Sequence, residues 1–313
     1  MKSKLIFVTG GLGFIGKHFV QRCLDIGHFI TNVDMVNYAA DRIANDKFKN
    51  HKNYRHIQED IANLSHLPES DFLVNFAAES HVDNSIANNR QFCHSNIIGV
   101  QRLLELTRAK TASGSPHFIQ ISTDEVYGDI MNGRHSESDP LRPSNPYSAT
   151  KAAADMLVIG WARTYGVRYN IVRMTNNYGP NQYPEKLIPK SAWRMHRGLP
   201  ALIQGDGSYI RSWLHVNDSV EAILTIIEKG KSNVIYNVHS DYELSNLEVV
   251  NKIAAILGVS KKDAYIHIPN RVGQDVRYSL DDTLIRELGW KPLRDFDTEI
   301  KKIVEEDDFK RFI

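Results

Sequence analysis

The 313-residue chain carries 38 Lys and Arg against 37 Asp and Glu, a net charge of +1 that excludes the electrostatic footprint of a nucleic-acid binder. Hydrophobic residues at 42% and charged residues at 24% fit a soluble globular protein with a large core, in one large domain or two small ones. No apolar run approaches the ~20 residues of a membrane span, and the two cysteines, Cys23 and Cys93, lack metal-ligand spacing, so neither a membrane nor a metal is expected.

Residues 5–9 read as a short, continuously apolar strand of the fully buried kind. Gly10-Gly11 ends that run after about six residues, too short for a secretory signal core, so a cytoplasmic protein is expected. An amphipathic helix follows over 14–26, then a strand over 29–33 that ends at Asp34. Further strands are expected at 54–57, 72–76, 118–121 and 169–172, with helices near 91–109 and 147–165. Strands alternating with helices predict right-handed βαβ units, hence an α/β fold with a Rossmann-type doubly wound parallel sheet. After Gly179-Pro180 the elements shorten among Pro184, Pro189, Pro200, Gly205 and Gly207. Helices at 216–228, 246–257 and near the C-terminus then suggest a smaller C-terminal α/β lobe.

Gly10-Gly11-Leu12-Gly13-Phe14-Ile15-Gly16 lies between the first strand and the first helix, with Gly10, Gly13 and Gly16 three residues apart. Glycines there allow a tight turn and close approach to a pyrophosphate, and the helix N-terminus adds amide donors. Asp34, 18 residues beyond Gly16, can bind adenosine ribose hydroxyls and would repel a 2′-phosphate, favouring NAD over NADP. Asp60 and Ile61 follow the third strand, where they can flank the adenine. Ala77-Ala78-Glu79-Ser80-His81 follows the fourth, at the strand ends where ligands bind in open α/β sheets. Ala77 and Ala78 let a flat ligand lie on the backbone. His81 is either a substrate-side group or a loop histidine that only caps.

Ser122-Thr123-Asp124-Glu125 follows the fifth strand, and Tyr147 and Lys151 stand four apart on one face of a helix. A lysine ammonium near a phenol lowers its pKa, bringing a phenolate base within reach near neutrality. Two adjacent carboxylates exceed what a plain dehydrogenase needs.

Gly-Gly-Leu-Gly-Phe-Ile-Gly (10–16), Ala-Ala-Glu-Ser-His-Val-Asp (77–83), Ser-Thr-Asp-Glu-Val-Tyr-Gly (122–128), Asn-Pro-Tyr-Ser-Ala-Thr-Lys (145–151), Asn-Asn-Tyr-Gly-Pro (176–180) and Pro-Glu-Lys-Leu-Ile-Pro (184–189) together resemble the extended short-chain dehydrogenases. More narrowly, the chain resembles nucleotide-sugar 4,6-dehydratases of the dTDP-glucose and UDP-glucose type. The resemblance implies an NAD-binding domain with the catalytic residues at 1–175 and mainly a sugar-nucleotide lobe at 176–313. The boundary is interleaved, because the helix carrying Lys151 and the strand before Arg173 belong to the first lobe. It implies oxidation of the sugar C4 hydroxyl, with Tyr147 as base, Thr123 bonding the hydroxyl, and Lys151 tuning Tyr147 and holding the nicotinamide ribose. Water is then lost across C5 and C6, with Glu125 as the C5 base and protonated Asp124 as the acid. Hydride finally returns to C6. The resemblance places Phe14, Ile15, Ser80, Ser95 and Asn177 beside the cofactor. It places Asn176, Lys186, Leu187, Leu202, Gln204, Arg211, Asn246, Arg271, Asp275 and, in the same late motif, Tyr278 on the sugar-nucleotide side. A homodimer through the helices at 91–109 and 147–165 is also implied, although their apolar residues serve equally to pack on the sheet.

The chain departs from the family pattern in three places. Ser212 stands where an Asp usually follows the Arg; the stretch between Gly128 and Asn145 is short; and residues 35–40 lack a basic residue. The Asp-Glu pair disfavours a 4-epimerase or a decarboxylase. A UDP-GlcNAc dehydratase and a non-catalytic NAD-binding regulator remain as alternatives.

Overall fold

The computed structural model describes residues 2–110 and 114–306. Seven parallel strands form the main sheet: β1 (Leu5–Thr9), β2 (Phe29–Asp34), β3 (Tyr54–Gln58), β4 (Phe72–Asn75), β5 (His117–Thr123), β6 (Tyr169–Met174) and, later in the chain, Val234–Val238. Their spatial order is β3-β2-β1-β4-β5-β6 followed by Val234–Val238, with the direction of travel reversing between β1 and β4. Central strands are buried on both faces, which is why β1 reads as a near-continuous rather than alternating apolar run; β6 is buried throughout although it includes Asn170 and Arg173. One core layer joins Val8, Phe19, Ile119 and Val172 to Ile223 and Tyr236; the opposite layer joins Phe7, Leu104, Phe118, Val158 and Ile171.

The expected strands and helices are present with small shifts at their ends. Helix Phe14–Asp25 begins at the third glycine turn, and helix Asn246–Leu257 has the expected bounds. The expected helix at 91–109 is one helical run, Arg90–Ala109, whose middle turns, His94–Gly99, widen to π geometry. Helix Pro146–Tyr165 starts with an Asn145–Ser148 capping box and Pro146 in its first turn, and ends on Gly166 at φ 72°.

Past β6 the chain forms β7 (Asn176–Tyr178), β8 (Ala201–Gln204) and β9 (Ile210–His215), then returns to the main sheet as β10, the Val234–Val238 strand. Helix Val216–Lys229 packs on helix Phe14–Asp25. This strand and helix therefore complete the first lobe although both lie beyond residue 175. The smaller lobe contains a three-stranded sheet of β7, β9 and β11 (Glu243–Ser245), and β8 paired with β12 (Tyr265–Ile268). It has its own core of Tyr178, Ile188, Ala192, Trp213, Val249, Ile253, Phe296 and Ile300. Among the described residues, no helix is long and apolar enough to cross a membrane.

Candidate active site

A cavity opens at the carboxyl ends of β1, β2, β4, β5 and β6, at the point where strand order reverses. Its walls include all the residues expected beside a dinucleotide: Gly10, Gly13, Phe14, Ile15, Gly16, Asp34, Asp60, Ile61, Ala77, Ala78, Ser80, Ser95, Tyr147, Lys151 and Asn177. Gly10 has φ 69°, and a Cβ there would lie 2.6 Å from the Ala77 amide nitrogen; a Cβ on Gly16 would press on the Gly10 carbonyl. The turn can thus be made by glycine alone, and it leaves a groove at the helix N-terminus that fits a pyrophosphate. Asp34 is buried, with Oδ2 accepting from the Leu12 amide at 2.9 Å and Oδ1 from the Val36 amide at 2.8 Å. These bonds aim the carboxylate while leaving each oxygen a second lone pair for a ribose hydroxyl. Asp60 caps the short helix Ile61–Asn63 through the Ala62 amide, at 2.9 Å, and its other oxygen lies 2.9 Å from His94 Nε2. The cradle and the aimed acid fit an NAD-type cofactor.

The catalytic candidates converge. Thr123 ends β5, and the next three residues, Asp124–Val126, curl into a 3-10 turn. That bend resolves a difficulty of adjacent side chains, which point to opposite sides of an extended strand: Thr123, Asp124, Glu125, Tyr147 and Lys151 all line the one cavity. Thr123 Oγ1 donates to Asp124 Oδ1 at 3.0 Å and accepts from the Glu125 amide at 3.3 Å. Asp124 is 2% exposed. Burial first, and the neighbouring Glu125 second, push its carboxyl up to about 8, so it carries a proton at neutral pH. Glu125 is only half-buried and accepts from Asn145 Nδ2 at 3.4 Å.

The expected tuning of Tyr147 by Lys151 is opposed by the surroundings of the phenol. Burial, followed by Glu125 and Asp124, pushes the Tyr147 phenol well above its ordinary value, while Thr123 acts the other way. Lys151 is buried, its Nζ donates to the Ile121 carbonyl at 2.6 Å, and desolvation brings its ammonium down to about 8. Burial and the neighbouring carboxyl groups set the direction at the phenol, so a base at Tyr147 requires further positive charge at the site.

The residues expected on the substrate side form a less compact set. Asn176 and Lys186 line the cavity, and Lys186 Nζ donates to the Ser80 carbonyl at 3.0 Å. Burial holds that ammonium below its usual value, with Glu185 and Glu125 opposing. Arg271 does not line the cavity; its Nη1 lies 3.3 Å from Asp83 and its Nε is buried without a partner. His81 lies outside the cavity walls and caps helix Val82–Ala87 by accepting from the Asn84 amide at 3.4 Å. Leu187 opens helix Leu187–Met195, Leu202 and Gln204 lie on β8, and Asn246 starts helix Asn246–Leu257; none of these four lines the cavity.

Arg211 and Asp275 are occupied within the protein. Arg211 donates to the carbonyls of Ile210 (2.7 Å), Asp275 (2.9 Å) and Val276 (3.3 Å), and its guanidinium lies 4.5 Å from the centre of the Tyr278 ring. Asp275 accepts from Ser144 at 2.5 Å and from the Tyr278 hydroxyl. Ser212 explains how an Asp is spared here: its hydroxyl bonds the Ser240 carbonyl at 2.7 Å, and backbone oxygens answer the Arg211 charge. The short 128–145 stretch is pinned to the late motif by His135 N–H to Ser279 O and Ile130 N–H to Arg277 O. In the segment without a basic residue, Tyr38 instead donates to Glu185 at 3.0 Å.

Sequence reasoning overlooked Asn96, which sits in the π turns. Its Oδ1 accepts from the Glu79 amide at 2.9 Å, and its Nδ2 donates to the Glu79 carbonyl at 3.0 Å and to Thr150 at 2.9 Å. It ties the cavity loop to the residue beside Lys151. The available signal was an Asn among the apolar residues of a helix otherwise expected to pack on the sheet. Asn145 was also missed, as both helix cap and Glu125 partner.

Comparison with known proteins agrees with this geometry. The family described as GDP-mannose 4,6 dehydratase matches residues 7–303. The low-salt glycan biosynthesis protein Agl12 of Haloferax volcanii is 41% identical over 96% of this chain and 97% of its own. A dTDP-glucose 4,6-dehydratase of Streptomyces niveus is 40% identical over 92% of this chain and 88% of its own. The crystal structure of DesIV, a dTDP-glucose 4,6-dehydratase from Streptomyces venezuelae with NAD and TYD bound, superposes with a TM-score of 0.92 at 36% identity, covering 96% of each chain.

Proposed function

This chain belongs to the nucleotide-sugar 4,6-dehydratase family of extended short-chain dehydrogenases, and on that premise we propose that it converts a nucleoside-diphosphate glucose to the 4-keto-6-deoxy sugar. It is a hydro-lyase that uses NAD. The observation that carries the reading is the pair Asp124 and Glu125: a buried carboxyl that keeps its proton beside a half-buried one, both lining the cavity that holds Tyr147. Elimination of water needs one group that gives a proton and another that takes one.

NAD, when bound, accepts hydride from C4 and returns it to C6, so no outside reductant is consumed. Gly10, Gly13 and Gly16 would cradle its pyrophosphate, Asp34 would hold the adenosine ribose, and Lys151 the nicotinamide ribose. Tyr147 takes the proton of the C4 hydroxyl, which Thr123 orients. The resulting 4-keto group acidifies C5–H, and Glu125 takes that proton. Asp124 gives its proton to the departing C6 hydroxyl, which leaves as water; the proton held by Glu125 then returns to C5. Lys186 and Arg271 supply positive charge for the diphosphate, with Asn176 beside the sugar. Leu202 and Gln204, on β8 outside the cavity walls, would border the base.

Exposed Ile98 and Met156 lie on the Arg90–Ala109 and Pro146–Tyr165 helices, and we place a homodimer contact there. The two cysteines are unpaired, which suits the reducing cytoplasm.

The test is to incubate purified protein with dTDP-glucose, with UDP-glucose as the second arm, add alkali and read the 4-keto absorbance. Product from either supports the reading. A 4-epimer in place of the keto sugar would sink it.

A further inference from the structure

A charged network lies buried behind the catalytic helix, outside the cavity. Arg173 on β6 and Asp155 on helix Pro146–Tyr165 are 1% and 0% exposed, and Nε of one meets Oδ2 of the other at 2.9 Å. Arg173 Nη1 donates to the Tyr127 hydroxyl at 2.7 Å, the guanidinium stacks 4.8 Å from the centre of that ring, and the hydroxyl donates to Asn237 at 2.9 Å. Arg173 is thereby fixed from several sides and can hold Asp155 in one place. The other Asp155 oxygen, Oδ1, is buried without a hydrogen bond of normal geometry, with the Ser122 hydroxyl beside the carboxyl. Burying an ion pair is costly, and an apolar pair of similar volume would stabilise the fold as well or better, so stability alone does not account for it.

Tyr147, Lys151 and Asp155 succeed one another at four-residue steps, and so share one face of the helix. Lys151 is 5% exposed, and its Nζ has the Ile121 carbonyl, a neutral acceptor, at 2.6 Å. The ionisable groups around this face are Asp124 and Glu125 from the turn after β5, Tyr147 and Asp155 from the helix itself, and Arg173 from β6. Of these, Asp155 is the buried carboxyl one helical turn beyond Lys151 on the same face, and its negative charge opposes the effect of burial on the ammonium.

We propose that Asp155, clamped by Arg173, is the positioning residue that keeps Lys151 an ammonium ion, and through it supports Tyr147 and the cofactor ribose. The role of Lys151 rests on the dehydratase reading; its charge state does not, and can be measured without substrate. The probe is the 13Cε resonance of Lys151 in protein made with labelled lysine, assigned by its loss in Lys151→Met and titrated with pH. In Asp155→Asn the midpoint should fall by about one to two pH units. Because that variant strands Arg173, a second one, Asp155→Leu with Arg173→Met, replaces the whole pair with apolar side chains. It should fold and show the same fall, whereas Tyr127→Phe, which keeps the pair, should titrate like the parent. The alkaline limb of kcat/KM and the alkaline loss of NAD affinity should shift by the same amount. A Lys151 midpoint unmoved in both pair variants overturns the proposal, as does a uniform loss of activity with the alkaline limb in place, since a brace would act in that way.

Discussion

Asp124→Asn tests the proton on which the elimination depends. In the folded protein this carboxyl titrates near 8 instead of 3.8, because it is buried and stands beside Glu125. At about 1.4 kcal/mol per pH unit, that difference sets an upper bound of roughly 6 kcal/mol on the cost of ionising Asp124 in place. The folded carboxyl binds its proton more tightly than the unfolded one. Between 3.8 and about 8 the native state therefore holds more protons, and stability must fall as pH rises through this window. The cost is absent below the window and complete above it. Asparagine keeps the shape and cannot ionise. Any cost of burying its amide is the same at every pH, so a difference of differences isolates the proton. Allowing for relaxation and water entry, Asp124→Asn should gain about 2–4 kcal/mol over the parent between about pH 4 and about pH 8.5. Urea unfolding of both proteins at the two pH values measures this. The same variant should lose about 10²- to 10⁴-fold in dehydration, since an amide cannot protonate the leaving hydroxyl. A stability difference that does not change with pH would show that Asp124 is already ionised at neutrality, and the acid assignment would fail.

Glu125→Gln should stop proton removal at C5 while leaving C4 oxidation possible, so reduced nicotinamide should accumulate on addition of sugar nucleotide; normal turnover would assign the base elsewhere. The same change removes the second cause of the raised Asp124 value, so the pH dependence of stability should flatten. Asp34→Asn weakens a charge-assisted contact to the ribose and should raise the NAD dissociation constant about 10- to 100-fold by titration calorimetry, with little effect on the melting temperature. Gly10→Ala forces a Cβ to 2.6 Å from the Ala77 amide nitrogen at φ 69°, and should lose both bound NAD and about 1–3 kcal/mol of stability by urea unfolding. Asn96→Ala frees the Glu79 backbone and Thr150, and should lower kcat and NAD affinity together, read by steady-state assay and calorimetry.

Much of the scaffold was written locally. A near-continuous apolar run such as Leu5–Thr9 marks a strand covered on both faces, because a strand with a wet face would alternate. The Asn145-Pro146-Tyr147-Ser148 start set the phase of the helix, and so the shared face of Tyr147 and Lys151. The glycine triplet announced a turn that no side chain can enter. Residues distant in sequence decided the rest. Asp124 and Glu125 stand side by side in the chain, yet one is sealed by the surrounding fold and the other reaches solvent; depth of burial, which no local pattern encodes, divides their roles. The expectation that Lys151 would lower the Tyr147 pKa followed from spacing, but desolvation and two carboxyl groups from the turn after β5 act the other way. Arg211, which looked free to hold a phosphate, is taken up by carbonyls 64 and 65 residues away. Helical and strand periodicity are short-range properties of the backbone and can be read in order; charge state and free hydrogen-bonding capacity depend on what the folded chain brings within a few ångströms.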